Sequence, residues 1–248
     1  MDMSKKQYQM DCAGIPVNIT FLNSETVRYF KGYLNDCMKP AEISIAVTPE
    51  YMNENRWLVS EDEKSESYLE FQALMLKLGN TLLTHHRALF HAAALLWNDR
   101  AWLITAPSGT GKTTQLKHWH RLLKDDVKVI NGDKPMLECR EDSTVWVHSS
   151  PWRGKEKYGH PDLHAPLGGV IILQQAKHNA LNLLDSEEAV IPLYRAFVSV
   201  PENTDQIGGQ AEILESILKS THVWKLENLG DQDSAKLTLG KLYLGEEL

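Results

Sequence analysis

Apolar residues in this chain fall into two spacings. From residue 7 to 23 they alternate loosely with polar ones, and the β-formers Val17, Ile19 and Phe21 recur at every second position; this predicts one or two strands. Val27, Phe30 and Leu34 share a helical face, so residues 24–36 read as a helix with Ser24 as candidate cap, although Ser24-Glu-Thr-Val27 lacks a full capping box. Residues 42–48 alternate and read as a strand, and the polar, acidic stretch 49–66 reads as an irregular loop. The helical spacing is strongest over 65–84, where Tyr68, Phe71, Leu74, Leu76, Leu78 and Leu82 keep the period.

A continuous apolar run, 88–97, predicts a buried strand. Asn98-Asp-Arg100 is a tight turn, and 101–105 returns antiparallel as a second strand. Residues 115–124 carry a helical pattern, 127–130 a short strand, and 136–139 and 144–148 two more. Residues 149–167, rich in Pro, Gly, His and Trp, read as a functional loop. Residues 169–173 and 180–184 are expected to pair across a turn, with helices at 186–198, 205–219 and 232–239. A boundary near residue 85 divides an N-terminal α+β segment, 1–85, from a nucleotide-binding domain, 86–248. The fold class expected is α/β with a mixed sheet.

Composition narrows the function. The formal net charge of 248 residues is −7, and no basic patch stands out, which argues against nucleic acid. Cys12, Cys37 and Cys139 are odd in number and widely spaced, as in a reducing compartment rather than a disulfide frame or zinc site. No signal peptide and no apolar run of membrane-spanning length is evident, so a soluble, cytoplasmic protein without membrane contact is expected.

The chemistry concentrates between the strand at 101–105 and the helix that follows. Ala106, Pro107, Ser108, Gly109, Thr110, Gly111, Lys112, Thr113 and Thr114 form a glycine-rich phosphate loop of the [A/G]-x-x-x-x-G-K-[S/T] kind, in strand–loop–helix context. Gly109 and Gly111 let the backbone curl so that N–H groups point at phosphate oxygens, and the helix adds its positive end. Lys112 supplies a cation for the β- and γ-phosphates, and the Thr113 hydroxyl one position on Mg²⁺. Such a loop needs a carboxylate near the metal, and Asp133 follows a short strand at such a place; Asn131-Gly-Asp133 reads otherwise as an ordinary turn. His91 lies on an apolar run, where a lone histidine is more often a satisfied core residue than a catalyst. In Ser149-Ser-Pro-Trp-Arg-Gly-Lys155, an exposed Trp152 with Arg153 and Lys155 could clamp phosphate or hold an acceptor, or form a solvated basic loop.

Taken in order, His91-Ala-Ala-Ala-Leu95, the loop 106–113, the acidic turn 131–133 and Ser150-Pro-Trp-Arg-Gly-Lys155 with Leu163-His-Ala-Pro-Leu167 resemble the HPr kinase superfamily, whose core is also likened to ATP-dependent phosphoenolpyruvate carboxykinase. The likeness covers roughly residues 86–200 and is nearest to compact members found beside peptide-modification systems, such as lasso-peptide kinases. The resemblance implies transfer of the γ-phosphoryl group of ATP to a serine hydroxyl of a small protein or peptide, and the acceptor expected here is a serine or threonine hydroxyl. It makes Lys112 and Thr113 ligands of phosphate and Mg²⁺, Asp133 the second of a paired acidic turn, and His91 the histidine beside the catalytic acid. Gly132 stands where the family commonly has the first aspartate. A nucleotide-binding regulatory module without productive transfer and a small-molecule kinase therefore remain alternatives, and homo-oligomerisation is left open.

Overall fold

The computed structural model of the chain describes residues 7–35, 39–63 and 65–244. Strands β1 (Gln7–Cys12) and β2 (Ile15–Thr20) make a hairpin in which both turn residues, Ala13 and Gly14, have positive φ, matching the twist of the flanking strands. With β3 (Leu34–Asn35) and β4 (Ile43–Ile45) they form a sheet in the order β3-β1-β2-β4. A 3₁₀ turn, Ser24–Phe30, replaces the helix expected over 24–36; its cap is Asn23, whose side chain accepts from the Glu25 amide, and not Ser24. The stretch read as loop contains a short helix, α1 (Pro49–Glu54), with Thr48 as cap and proline in its first turn. Cys37 lies outside the described residues, whereas Cys12 and Cys139 are free thiols.

Helix α2 (Glu66–Leu83) is capped by Ser65 and buried on nearly all sides. One flank closes the N-terminal sheet, with Leu69, Phe71, Leu74 and Leu78 in the same cluster as Met10, Val17, Ile19 and Phe30. Beyond it the chain enters a larger sheet through β5 (Arg87–Leu89), breaks at Phe90-His91, and resumes as β6 (Ala92–Trp97). The break divides the single strand expected over 88–97, because the two pieces have different partners. β5 pairs with β9 (Met136–Cys139), while β6 pairs with β7 (Arg100–Thr105) and β8 (Lys128–Asn131). Asn98 and Asp99, both at positive φ, close the β6–β7 hairpin.

The remaining strands are β10 (Val145–His148), β11 (His164–Gln175), β12 (Ala180–Leu183) and β13 (His222–Asn228). Among the described residues nine strands form this sheet, along β5-β9-β10-β11-β7-β6-β8, with β13 on the other flank of β11 and β12 outside it. β11 runs parallel to β7 and β13; the other pairings are antiparallel, so the sheet is mixed. The pairing expected between 169–173 and 180–184 is not made. β13, which the sequence pattern did not reveal, takes the place beside β11 and pairs with β12 on its far side. A parallel neighbour needs a crossover, and α4 (Ser186–Tyr194) and α5 (Thr204–Ser220) supply it.

Alternate residues of the central strands point to opposite faces. Ala92, Ala94, Leu103 and Val170 pack with Leu193 of α4 and Ile213 and Ile217 of α5. Ala93, Leu95, Ile104 and Ile171 pack with Leu116 and Trp119 of α3 (Lys112–Leu123) and Leu239 of α6 (Gln232–Leu244). The fold is therefore mixed α/β, with helices on both faces of the large sheet. Among the described residues no helix is long and apolar enough to cross a membrane.

Candidate active site

β7 ends at Thr105, buried in the sheet, and the chain then turns outward through residues 106–111. Gly109 (φ +79°) and Gly111 (φ +116°) occupy backbone conformations that L side chains rarely adopt. Gly111 is the residue before α3, and no side chain caps the helix's first turn. Ala106 is buried; Pro107, Ser108 and Gly109 are exposed, with Thr110 and Thr113 half-buried and Thr114 exposed. Lys112 is only 8% exposed. Its ammonium curls back to the carbonyls of Ala106 (2.8 Å) and Pro107 (3.3 Å). Burial lowers the Lys112 pKa, the charge of Asp133 opposes that, and Lys134 adds to it. Lys112 is thus an ammonium held inside a loop, in the electrostatic reach of the turn after β8.

That turn is ordered by Asn131. Its side-chain oxygen accepts from the amides of Asp133 and Lys134, both at 2.8 Å, while its amide nitrogen donates to the Ser150 carbonyl at 3.0 Å. The Asp133 carbonyl accepts from the Ala92 amide (3.0 Å), and the Thr105 hydroxyl donates to the His91 carbonyl (2.8 Å). The strand break at His91, the end of β7 and the turn after β8 consequently meet at one end of three adjacent strands. His91 Nε2 lies 3.4 Å from Asp133 Oδ1, and Lys134 Nζ donates to Asp133 Oδ2. Burial pushes the Asp133 carboxyl up, but the hydrogen bond from His91 and the charge and hydrogen bond of Lys134 outweigh it and hold the group at about 2. Asp133 is therefore a carboxylate at any physiological pH.

Residues 149–163 pack as a lid against this turn. The Lys134 amide donates to the Trp152 carbonyl (3.0 Å), the Gly132 amide to the Tyr158 carbonyl (2.9 Å), and the Ser150 hydroxyl to the Lys134 carbonyl. Gly159 (φ +129°) bridges to Asn131 so closely that a Cβ there would stand 2.6 Å from the Ile130 carbonyl oxygen. Gly132 is walled in likewise: an added Cβ would meet the Arg153 carbonyl oxygen at 3.0 Å and Tyr158 Cβ at 3.1 Å. A side chain at that position fits only if the surrounding backbone gives by a few tenths of an ångström.

The expectation of an exposed Trp152 is overturned. Its ring is 3% exposed, stacks on Phe71 (5.3 Å between centroids), meets Phe30 edge-on (5.7 Å), and donates from Nε1 to the Phe71 carbonyl at 3.1 Å. It plugs the lid into the core that α2 shares with the N-terminal sheet. Arg153 is half-buried; its guanidinium lies over the Tyr33 ring (5.5 Å) and donates to the Gly159 carbonyl. Lys155 is exposed. Gly154, between them, brings its backbone against the Asp133 side chain.

Three residues at this site were not anticipated: Asn131, Ser150 and Lys134. Asn131 and Ser150 could have been suspected from the hydrogen-bonding needs of so sharp a turn. Lys134 had only its adjacency to Asp133 as a signal.

No protein-family model and no curated protein matches the chain. Among solved structures, it is similar to an HPr(Ser) kinase/phosphatase from Coxiella burnetii, with 11% sequence identity over 64% of this chain and 98% of that one, at a TM-score of 0.38. At that level the likeness adds no weight to any role, which rests on the residues themselves.

Those residues suit Mg²⁺. Thr113 and Asp133 offer a hydroxyl and an ionised carboxylate, the hard oxygen donors this ion takes, and Mg²⁺ fills its other positions from water and phosphate rather than from a protein cage. Among the described residues, no group of three or more His, Cys, Asp or Glu side chains comes together.

Proposed function

We propose that the chain is an ATP- and Mg²⁺-dependent kinase that transfers the γ-phosphoryl group to a serine or threonine hydroxyl of a peptide or small protein. The observation that carries this reading is the convergence of the Lys112 loop and the His91–Asp133 pair at one end of β6, β7 and β8. Phosphoryl transfer asks mainly for positioning and charge neutralisation. The loop amides and Lys112 bind the β- and γ-phosphates, Lys112 leaving the Ala106 and Pro107 carbonyls to do so. Thr113 and Asp133 are the residues that would hold Mg²⁺, which when bound would neutralise phosphate oxygens. Asp133 also orients the acceptor hydroxyl, and His91, hydrogen-bonded to it, shares the proton. Lys155, exposed beside Gly154, lies on the acceptor side, whereas Trp152 acts through the packing of the lid.

One observation favours a second reading. Both oxygens of Asp133 already have donors, its pKa of about 2 makes it a weak base, and the neighbouring position is a tightly packed glycine with no acid to offer. These facts fit a module that binds nucleotide without productive transfer.

Two measurements separate the readings. Calorimetry with ATP and Mg²⁺ should show binding that Lys112→Ala weakens sharply while the fold survives. Radiolabelled ATP with a library of serine- and threonine-containing peptides should give labelled product. Asp133→Asn should lower that turnover by about a hundred- to ten-thousand-fold, with a smaller loss of nucleotide affinity. Binding without any labelled product selects the regulatory module, and equal ATP affinity in Lys112→Ala and the parent refutes the nucleotide site.

A further inference from the structure

Lys134 has no part in the proposed transfer, yet it holds one of the two oxygens of the carboxylate on which that reading depends. Its backbone is fixed three times over: the amide donates to Asn131 Oδ1 (2.8 Å) and to the Trp152 carbonyl (3.0 Å), and the carbonyl accepts from the Ser150 hydroxyl. The turn is therefore built without the side chain, and its ion pair with Asp133 is not needed to hold it. What the pair does is occupy Oδ2, while His91 sits at Oδ1. Lys112, the other ammonium in reach, is spent on the carbonyls of its own loop.

Lys134 pairs with Asp133 Oδ2 and Lys112 with the carbonyls of its own loop, so a divalent cation approaching Oδ2 competes with an ammonium already there. Lys134 is a flexible four-carbon stem on a rigid anchor, so its ammonium can leave Asp133 without moving the turn. We propose that Lys134 is a resident counter-ion, occupying Oδ2 of Asp133 in the free chain and yielding it to a divalent cation only when nucleotide phosphate takes over its ammonium. This rests on the nucleotide-binding reading and adds an order to it: phosphate draws Lys134 away, and the metal position at Asp133 opens as a result. The exchange is of non-covalent partners only.

The test is Mn²⁺ binding by the full chain, with free Mn²⁺ followed by its electron paramagnetic resonance signal, alone and with a non-hydrolysable ATP analogue. The parent should bind Mn²⁺ weakly alone and more tightly with the analogue. Lys134→Met should bind Mn²⁺ alone about tenfold more tightly than the parent, since an adjacent positive charge has been removed. Lys134→Arg, which keeps the cation, should behave as the parent, and adding Asp133→Asn to Lys134→Met should abolish the gain. Lys134→Gln serves the same purpose if the Met variant fails a thermal melt. Unchanged Mn²⁺ affinity in the folded Met or Gln variant overturns the proposal. If the parent binds the analogue but the variants gain nothing, the counter-ion role falls alone. If no protein binds the analogue yet the variants gain Mn²⁺ affinity, Lys134 does guard Asp133 and the nucleotide reading falls.

Discussion

Gly132→Asp would supply the first aspartate of the paired turn that the resemblance to HPr kinases implies, and the structure says what it does instead. The new Cβ stands 3.0 Å from the Arg153 carbonyl oxygen, 3.1 Å from Tyr158 Cβ and 3.3 Å from the Tyr158 carbonyl oxygen. Each contact is a few tenths of an ångström too close, and two of the three are backbone oxygens that cannot rotate aside. The lid backbone must give by a few tenths of an ångström, which strains the hydrogen bond from the Gly132 amide to the Tyr158 carbonyl (2.9 Å). Overpacking of this kind costs about 1–3 kcal/mol. Gly132→Ala isolates the steric part and should lie near the lower bound. The aspartate adds a carboxylate beside two carbonyl oxygens and should reach about 3 kcal/mol, a loss of roughly 6–12 °C in Tm for a chain of this size. Differential scanning calorimetry of the three proteins measures this. Limited trypsin digestion at Lys155 and Lys157 reports whether the lid is what lifts. Any gain in transfer activity should be absent, because the lid that frames Asp133 has been displaced. An aspartate variant as stable and as trypsin-resistant as the parent refutes the account of a closed wall around Gly132.

Trp152→Ala should destabilise by about 3–5 kcal/mol in urea titrations, the range for emptying a buried tryptophan site, and a change under 1 kcal/mol would contradict its burial. Arg153→Ala should cost about 1 kcal/mol, from its bond to the Gly159 carbonyl, whereas exposed Lys155→Ala should leave the melt unchanged and lower peptide phosphorylation; equal melting losses would erase that distinction. The Asp133 carboxyl falls from its ordinary 3.8 to about 2 in the folded chain, so its ionised form stabilises above pH 4 and that contribution, about 2 kcal/mol, is lost as pH falls from 4 through 2. Comparing the parent with Asp133→Asn, the stability gap should narrow by that amount between pH 5 and pH 2, and a gap constant with pH would show that the carboxylate is not held down.

Much of this architecture was readable from residue spacing. The 65–84 period gives α2 to within a residue at each end, and Asn98-Asp99 marks the β6–β7 turn because those side chains tolerate positive φ. What spacing could not give was long-range pairing. β13 joins β11 across some fifty residues, and His222–Asn228 has too few alternations to stand out locally. Around the candidate site, the turns at 106–111 and 131–133 were legible because glycine and asparagine mark sharp turns. Trp152 was misplaced because its neighbours Pro151, Arg153 and Gly154 read as surface, whereas its partners Phe30 and Phe71 are remote in sequence. Lys134 was invisible for a different reason: adjacency to Asp133 does not tell whether its ammonium turns back onto that carboxylate or out to solvent.

The lid has the sequence of a surface loop and the bonding of a core. The amides of Gly132 and Lys134 donate to carbonyls of the lid, and the lid is pinned by an indole buried between α2 and the 3₁₀ turn. In hydrogen exchange, those two amides should be protected to the level of global unfolding, unlike those of an ordinary connecting segment. The N-terminal sheet, which supplies none of the site's proposed reactive groups, is thereby expected to unfold in one transition with the site. A ligand that stiffened or loosened the Phe30–Phe71 cluster would be felt at Asp133 as a change in how often the turn opens.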